Sequence, residues 1–158
     1  MVKRTSLEGD PCPIARSLDA IGDWWSLLII REAFLGARRF SELQKKLGLA
    51  KNILTIRLRA LVERGILATA PASDGSAYRE YVLTAKGRGL FPILVALRQW
   101  SETFDDRPDE ITTLLVDRES GRPVRPLALF SQDGRRLEAN DTALKPRPSR
   151  RASRRVPA

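Results

Sequence analysis

Apolar positions along this chain recur at two periods, and the switches between those periods mark out its elements. The segment WWSLLIIREAFLG, residues 24–36, is apolar on nearly every side. It predicts a helix buried among several neighbours, with Asp23 as its N-cap and Gly36 as its stop. Ahead of it Cys12-Pro13 opens a helix to about Ile21, since proline suits a first helical position. Behind it Ser41 and Gln44 stand at capping-box spacing and start a short helix that buries Leu43 and Leu47 and ends at Gly48. A three-residue turn leads to a second helix, about Lys51 to Arg64, stopped by Gly65. Its Leu54, Leu58, Leu61 and Val62 share one face. The period then shortens. Leu67 to Ala70 and Tyr81 to Leu83 read as strands of a hairpin around the tip SDGS. Thr84 caps a long helix to about Phe104, which Pro92 must kink or break. Leu90, Leu94, Leu97, Trp100 and Phe104 repeat along it at helical spacing.

From Asp105 the pattern changes. Two or three short strands are expected around Ser120-Gly121 and Asp133-Gly134 turns, with Pro123 and Pro126 demanding an edge or irregular strand. Beyond Lys145 the sequence KPRPSRRASRRVPA has no core-forming residue and is expected to be disordered. The expected organisation is therefore one folded domain over residues 1–104, a strand-rich extension over 105–144, and a disordered basic tail over 145–158. The fold class is mainly α with a small β wing, a winged helix-turn-helix plus that extension.

Charge sharpens this picture. The net charge of +9 is unevenly spread. Residues 145–158 carry six basic residues and no acid, and removing them leaves 22 basic and 19 acidic residues. Residues 38–64 hold eight Lys/Arg against two Asp/Glu, whereas residues 105–144 hold nine acids and six bases. The positive field thus sits on the two short helices and the tail, where it attracts nucleic acid or an anionic surface. Helix, tight turn, basic helix and hairpin in that order form a shape that lays the second helix in the DNA major groove. Double-stranded DNA is the partner this order implies.

On the face opposite Leu54 and Leu58 lie Asn52, Ile56, Arg59 and Glu63, with Thr55 flanking; the N-terminal part of such a helix enters the groove, which leaves Glu63 aside. Arginine can grip guanine O6/N7, asparagine can grip adenine N6/N7, and isoleucine can pack on a thymine methyl, so these four are the candidate base readers. The bland alternative is an ordinary solvated helix face. Arg38, Arg39, Ser41, Lys45, Lys46, Lys51 and Arg57 surround that helix pair, and Arg79 sits on the wing. They suit phosphate or wing contacts, which fix register without carrying sequence information. Leu94, Leu97, Trp100 and Phe104 form an apolar seam with no evident partner in the chain and read as a homodimer interface. Trp24 and Trp25 read as core, the alternative being the walls of a ligand pocket.

Several classes fall away. With no histidine, a Ser-His-Asp triad, a Cys-His pair and histidine-ligated zinc are excluded. No phosphate-cradling glycine motif occurs, so no enzyme activity, cofactor or metal is expected. No apolar run approaches the roughly 20 residues needed to span a bilayer. The first residues lack an apolar signal region, and a single cysteine argues against a disulfide framework; both point to the cytoplasm. Cys12 itself has two readings. It stands at a helix N-terminus, one turn from Arg16, where the dipole favours the reactive thiolate, or it is a half-buried cysteine packing as a small hydrophobe.

The run from Cys12 to Leu67, with YREYVLTAKGRGLFPILVALRQW behind it, resembles the HxlR-type winged helix-turn-helix transcriptional regulators of bacteria. The resemblance rests on the Cys-Pro opening, GDWW before the apolar helix, RRFSEL, LTIRLRALVERGIL and YVLTAKG, all in the family's order. It implies a homodimeric regulator, reading a pseudo-palindromic operator, whose N-terminal and long C-terminal helices form the interface. It also implies, for some members, a sensor cysteine at the position of Cys12 that responds to a small-molecule electrophile or oxidant. A mainly sequence-independent, architectural DNA-binding protein, its affinity set by the basic tail, is the alternative function.

Overall fold

Among the described residues, six helices and one hairpin build the first of two units, residues 1–106; the second is residues 107–158. The computed structural model describes residues 6–104 and 113–146. The elements of the first unit are α1 (Pro13–Ile21), α2 (Trp24–Phe34), α3 (Phe40–Leu47), α4 (Lys51–Glu63), β1 (Leu67–Pro71), β2 (Arg79–Leu83), α5 (Ala85–Arg88) and α6 (Phe91–Phe104). This is a winged helix-turn-helix.

α2 is the hub. It packs against α1, α3, α4, α6 and β2, and its Ile29 and Ile30 are wholly buried. Around them close Leu43 of α3, Leu54, Leu58 and Leu61 of α4, and Ile66 and Leu67 at the start of the wing. Each such side chain, fully removed from water, stabilises the fold by about 1.5–3 kcal/mol. Asp23 caps α2 as its sequence position predicts, accepting the Ser26 backbone N–H at 3.0 Å.

The start of α3 differs from expectation. The helix begins at Phe40, so Ser41 lies inside it and is exposed. The capping group is the Glu42 carboxylate, which accepts the N–H groups of Arg38 at 2.9 Å and Arg39 at 3.0 Å. A charged acceptor at the positive end of a helix makes the stronger bonds and displaces a hydroxyl from that role. Those two N–H donors hold the Glu42 carboxyl below its ordinary range. Gly48 and Gly65 adopt φ of +64° and +66°, stopping α3 and α4 where the sequence places their ends.

β1 and β2 pair antiparallel in the register Leu67↔Leu83, Thr69↔Tyr81 and Pro71↔Arg79. The Tyr81 N–H also donates to the Arg38 carbonyl at 2.8 Å, tying the wing to the segment before α3. The expected long helix is two. Thr84 caps α5, accepting the Gly87 N–H at 3.0 Å, and the chain bends at Gly89-Leu90 before α6 restarts. Pro92 becomes the second residue of α6, where its missing N–H costs nothing.

In the second unit Val116 bridges Pro123 across a turn containing Gly121, and β3 (Leu129–Phe130) pairs antiparallel with β4 (Arg136–Leu137) around Gly134. A 3₁₀ turn, Ala139–Asp141, follows. The two turns fall at Ser120-Gly121 and Asp133-Gly134. None of the described residues of this unit is buried. The expectation of disorder for the basic tail lies, from residue 147 onward, outside the described residues, as does the first part of the extension, 105–112.

Candidate nucleic-acid interface

α4 has two faces of opposite character. Leu54, Leu58 and Leu61 are at most 1% exposed, while Asn52, Thr55, Ile56 and Arg59 point outward. An isoleucine 57% exposed in mid-helix gains nothing from the core. The Thr55 hydroxyl donates back to the Lys51 carbonyl at 2.8 Å, which leaves its methyl and an acceptor lone pair facing out. Lys51 opens the same helix and Lys45 stands on α3. Among the described residues Lys45, Lys51 and Arg59 are exposed and form no ion pair, so their charge is fully available to an anion.

The other basic residues singled out from sequence already have internal partners. Arg38 lies 3.5 Å from Glu80, and Arg39 pairs with Asp74. Lys46 lies 3.4 Å from Glu32, a residue almost wholly buried in α2. Arg57 Nε is 3.3 Å from the Asp23 carboxylate and joins α4 to the N-terminus of α2. Arg79 donates across the hairpin to the Thr69 hydroxyl at 3.1 Å. Ser41 is free and exposed at the start of α3.

Sequence reasoning missed the acids on the wing. Asp74 accepts the Ser76 N–H at 3.1 Å, and hydrogen bonds from Ser76, joined by Arg39, push its carboxyl down to about 2. Glu80, 4% exposed, accepts the Ser73 N–H at 3.1 Å and the Ser73 hydroxyl at 2.9 Å. Those bonds, then Arg38, hold it below the usual carboxylate range. Strand alternation gave no signal for it: Tyr81 and Leu83 take the core face, so Glu80 turns to the opposite one, where Ser73 and Arg38 cover it. Tyr78 was also missed. It stands 70% exposed at the wing tip with the Arg39 guanidinium 5.7 Å from its ring centre.

The tryptophans depart from the core reading. Trp25 packs against the core, but Trp24 is 74% exposed and meets it edge to face at 6.4 Å. Being first in α2, Trp24 precedes the turns that cover the helix. Both border an open depression of about 540 Å³, together with Asp23, Leu49, Ile53 and Arg57. Cys12 is exposed, which removes the half-buried reading. It sits at the N-cap of α1, its N–H bonded to the Asp10 carboxylate at 2.8 Å. Arg16 instead donates to the carbonyls of Asp10 at 2.6 Å and Pro11 at 3.0 Å. On α6, Leu94 packs against the core while Leu97, Trp100 and Phe104 are exposed.

A helix-turn-helix with a charged, unobstructed outer face on its second helix and a hairpin wing defines a DNA-binding transcriptional regulator. Residues 20–109 match the HxlR-like helix-turn-helix family, and the chain belongs to that family. It is 36% identical over 139 residues, 88% of each chain, to a Mycobacterium tuberculosis protein described as an uncharacterized HTH-type transcriptional regulator, Rv3095. It superposes on PA1607, described as a candidate transcription factor, at TM-score 0.84 with 55% identity, over 89% of this chain and 99% of that one. Both matches run past residue 109, so these proteins share part of the extension. The oxidized form of the redox regulator HypR is also similar, at TM-score 0.54 and 31% identity, over 60% of this chain and 99% of that chain. No helix among the described residues is long and apolar enough to cross a membrane.

Proposed function

We propose that this protein is a cytoplasmic, homodimeric repressor that reads a pseudo-palindromic operator through Asn52, Thr55, Ile56 and Arg59. In this reading Ser41, Lys45 and Lys51 contact phosphate. The observation that carries it is the outward row on α4, where an exposed isoleucine and an unpaired arginine stand beside unpaired lysines on a well-packed helix. Leu97, Trp100 and Phe104 of α6 provide the dimer seam, and Leu94 backs it from the core. Cys12, exposed on the first helix, is the thiol through which an electrophile or oxidant acts; the similarity to HypR, described as a redox regulator, supports this.

The test is a pair of substitutions measured on a duplex that the protein selects from a random pool. Arg59→Ala is expected to cost about 1–3 kcal/mol on the selected site and to relax preference at one base position. Lys45→Ala is expected to weaken all sequences alike and lower the salt slope by about one unit. Lys46, held by Glu32, is expected to contribute less. If Arg59→Ala keeps the wild-type ratio between selected and random DNA, the reading face is wrongly assigned.

A further inference from the structure

Two adjacent arginines ahead of α3 carry charge that a sequence reading gives to DNA phosphates, yet both point into the wing. Arg38 reaches Glu80, a buried carboxylate on the face of β2 opposite Tyr81 and Leu83. Arg39 pairs with Asp74, approaches the Ser76 hydroxyl at 3.4 Å and lies over the Tyr78 ring. Their own backbone is fixed by Glu42, which accepts both N–H groups from inside α3. The Arg38 carbonyl adds the bond from Tyr81. A continuous set of contacts therefore runs from the first motif helix, through two consecutive residues, to both the middle of β2 and the tip of the hairpin.

A two-stranded ribbon is marginal in water and swings unless held. This one is held at its tip by a guanidinium fork that meets a carboxylate, a hydroxyl and an aromatic face, a combination lysine cannot reproduce. We infer that Arg38 and Arg39 are positioning residues that clamp the wing to the reading motif, and that the clamp presents the exposed Tyr78 and Arg79 to the DNA flank. Asp74 is then a structural partner, although an acid near a phosphate backbone would otherwise oppose binding. The second half of the inference rests on the DNA-binding reading above; the first half does not.

Hydrogen exchange of the free protein and DNA titration separate the possibilities. In Arg39→Ala, Arg39→Lys and Asp74→Asn, amides at residues 72–78 are expected to exchange about 3- to 10-fold faster than in wild type, as loss of a surface ion pair and a cation–π contact implies. On the selected duplex all three variants are expected to bind more weakly than wild type, to lose protection of the flanking bases, and to keep the wild-type salt slope. Arg39→Ala with Asp74→Asn together is expected to be no worse than either alone. Unchanged exchange in Asp74→Asn, or wild-type exchange in Arg39→Lys, overturns the clamp. Tighter binding by Asp74→Asn, with a salt slope lowered by about one unit in Arg39→Ala, makes Arg39 a phosphate contact instead. Faster exchange in the variants, with no duplex bound by wild type, supports the clamp while overturning the presentation of Tyr78 and Arg79 and the DNA reading with it.

Discussion

Residue type does not fix what a charge does; its neighbours do. Lys45 and Arg59 face solvent unpaired, whereas Arg39, identical to Arg59 in chemistry, is occupied by Asp74 and Tyr78. The Asp74 pair makes a pH prediction whose sign follows from its carboxyl lying at about 2 in the fold against an ordinary 3.8. A carboxyl lowered on folding stabilises the protein above its unfolded value and ceases to do so as pH falls through the folded one. The stability difference between wild type and Asp74→Asn is therefore expected to be constant at neutral pH, to shrink as pH falls through 3.8, and to vanish only below about 2. Denaturant titrations at a series of pH values check this. A difference that instead disappears between pH 7 and 5 would show that Asp74 acts through another group.

At the scale of elements, the order and ends of the helices were legible because each depends on a local residue. Asp23 caps, Gly48 and Gly65 stop, and Pro92 forbids a continuous helix, all through backbone chemistry that needs no tertiary partner. What stayed hidden was long-range. The Arg39–Asp74 pair joins residues 35 apart in sequence, and no spacing rule reports it. Ser41 misled because a helix start offers its N–H groups to whichever acceptor binds best, and Glu42 outcompetes a hydroxyl. Trp24 misled because an apolar string says which helix is buried, not where burial begins along it. Gly87 belongs to this scale too. It is buried where α5 meets the junction of α4 and β1, and a Cβ there would stand 2.2 Å from the Ile66 carbonyl oxygen. Gly87→Ala must push α5 off the start of β1, at an expected cost of about 1–3 kcal/mol. Thermal unfolding would measure it. An unchanged midpoint would mean that α5 and the wing root move together at no cost.

For the whole molecule, the proposed dimer and its proposed switch rest on apolar side chains left outside the core. Leu97, Trp100 and Phe104 are 48–68% exposed along α6, and Ile14 and Leu18 are 70% and 51% exposed on α1, the helix that Cys12 opens. One winged helix reads too few bases for a specific site, so two copies joined through these faces would place their half-sites about one helical turn, ~10 base pairs, or a multiple of it apart. If α1 and α6 both contribute to the interface, an adduct or disulfide on Cys12 alters the angle between subunits and with it the spacing of the two α4 helices. With one cysteine per chain, oxidation ends as an adduct, a mixed disulfide with a small thiol, or a bridge between subunits. A coupling of about 1–3 kcal/mol would then change operator affinity by roughly 5- to 150-fold. Trp100→Asp tests both steps, because the exposed ring can be replaced without opening the core. The expected result is a monomer by sedimentation, with weak DNA binding that no longer responds to a quinone, an aldehyde or a disulfide oxidant. Wild type should respond, and Cys12→Ser should remain a dimer that binds but does not respond. A Trp100→Asp protein that sediments as a dimer would move the interface away from this seam. A Cys12→Ser protein as responsive as wild type would leave a non-covalent ligand as the effector.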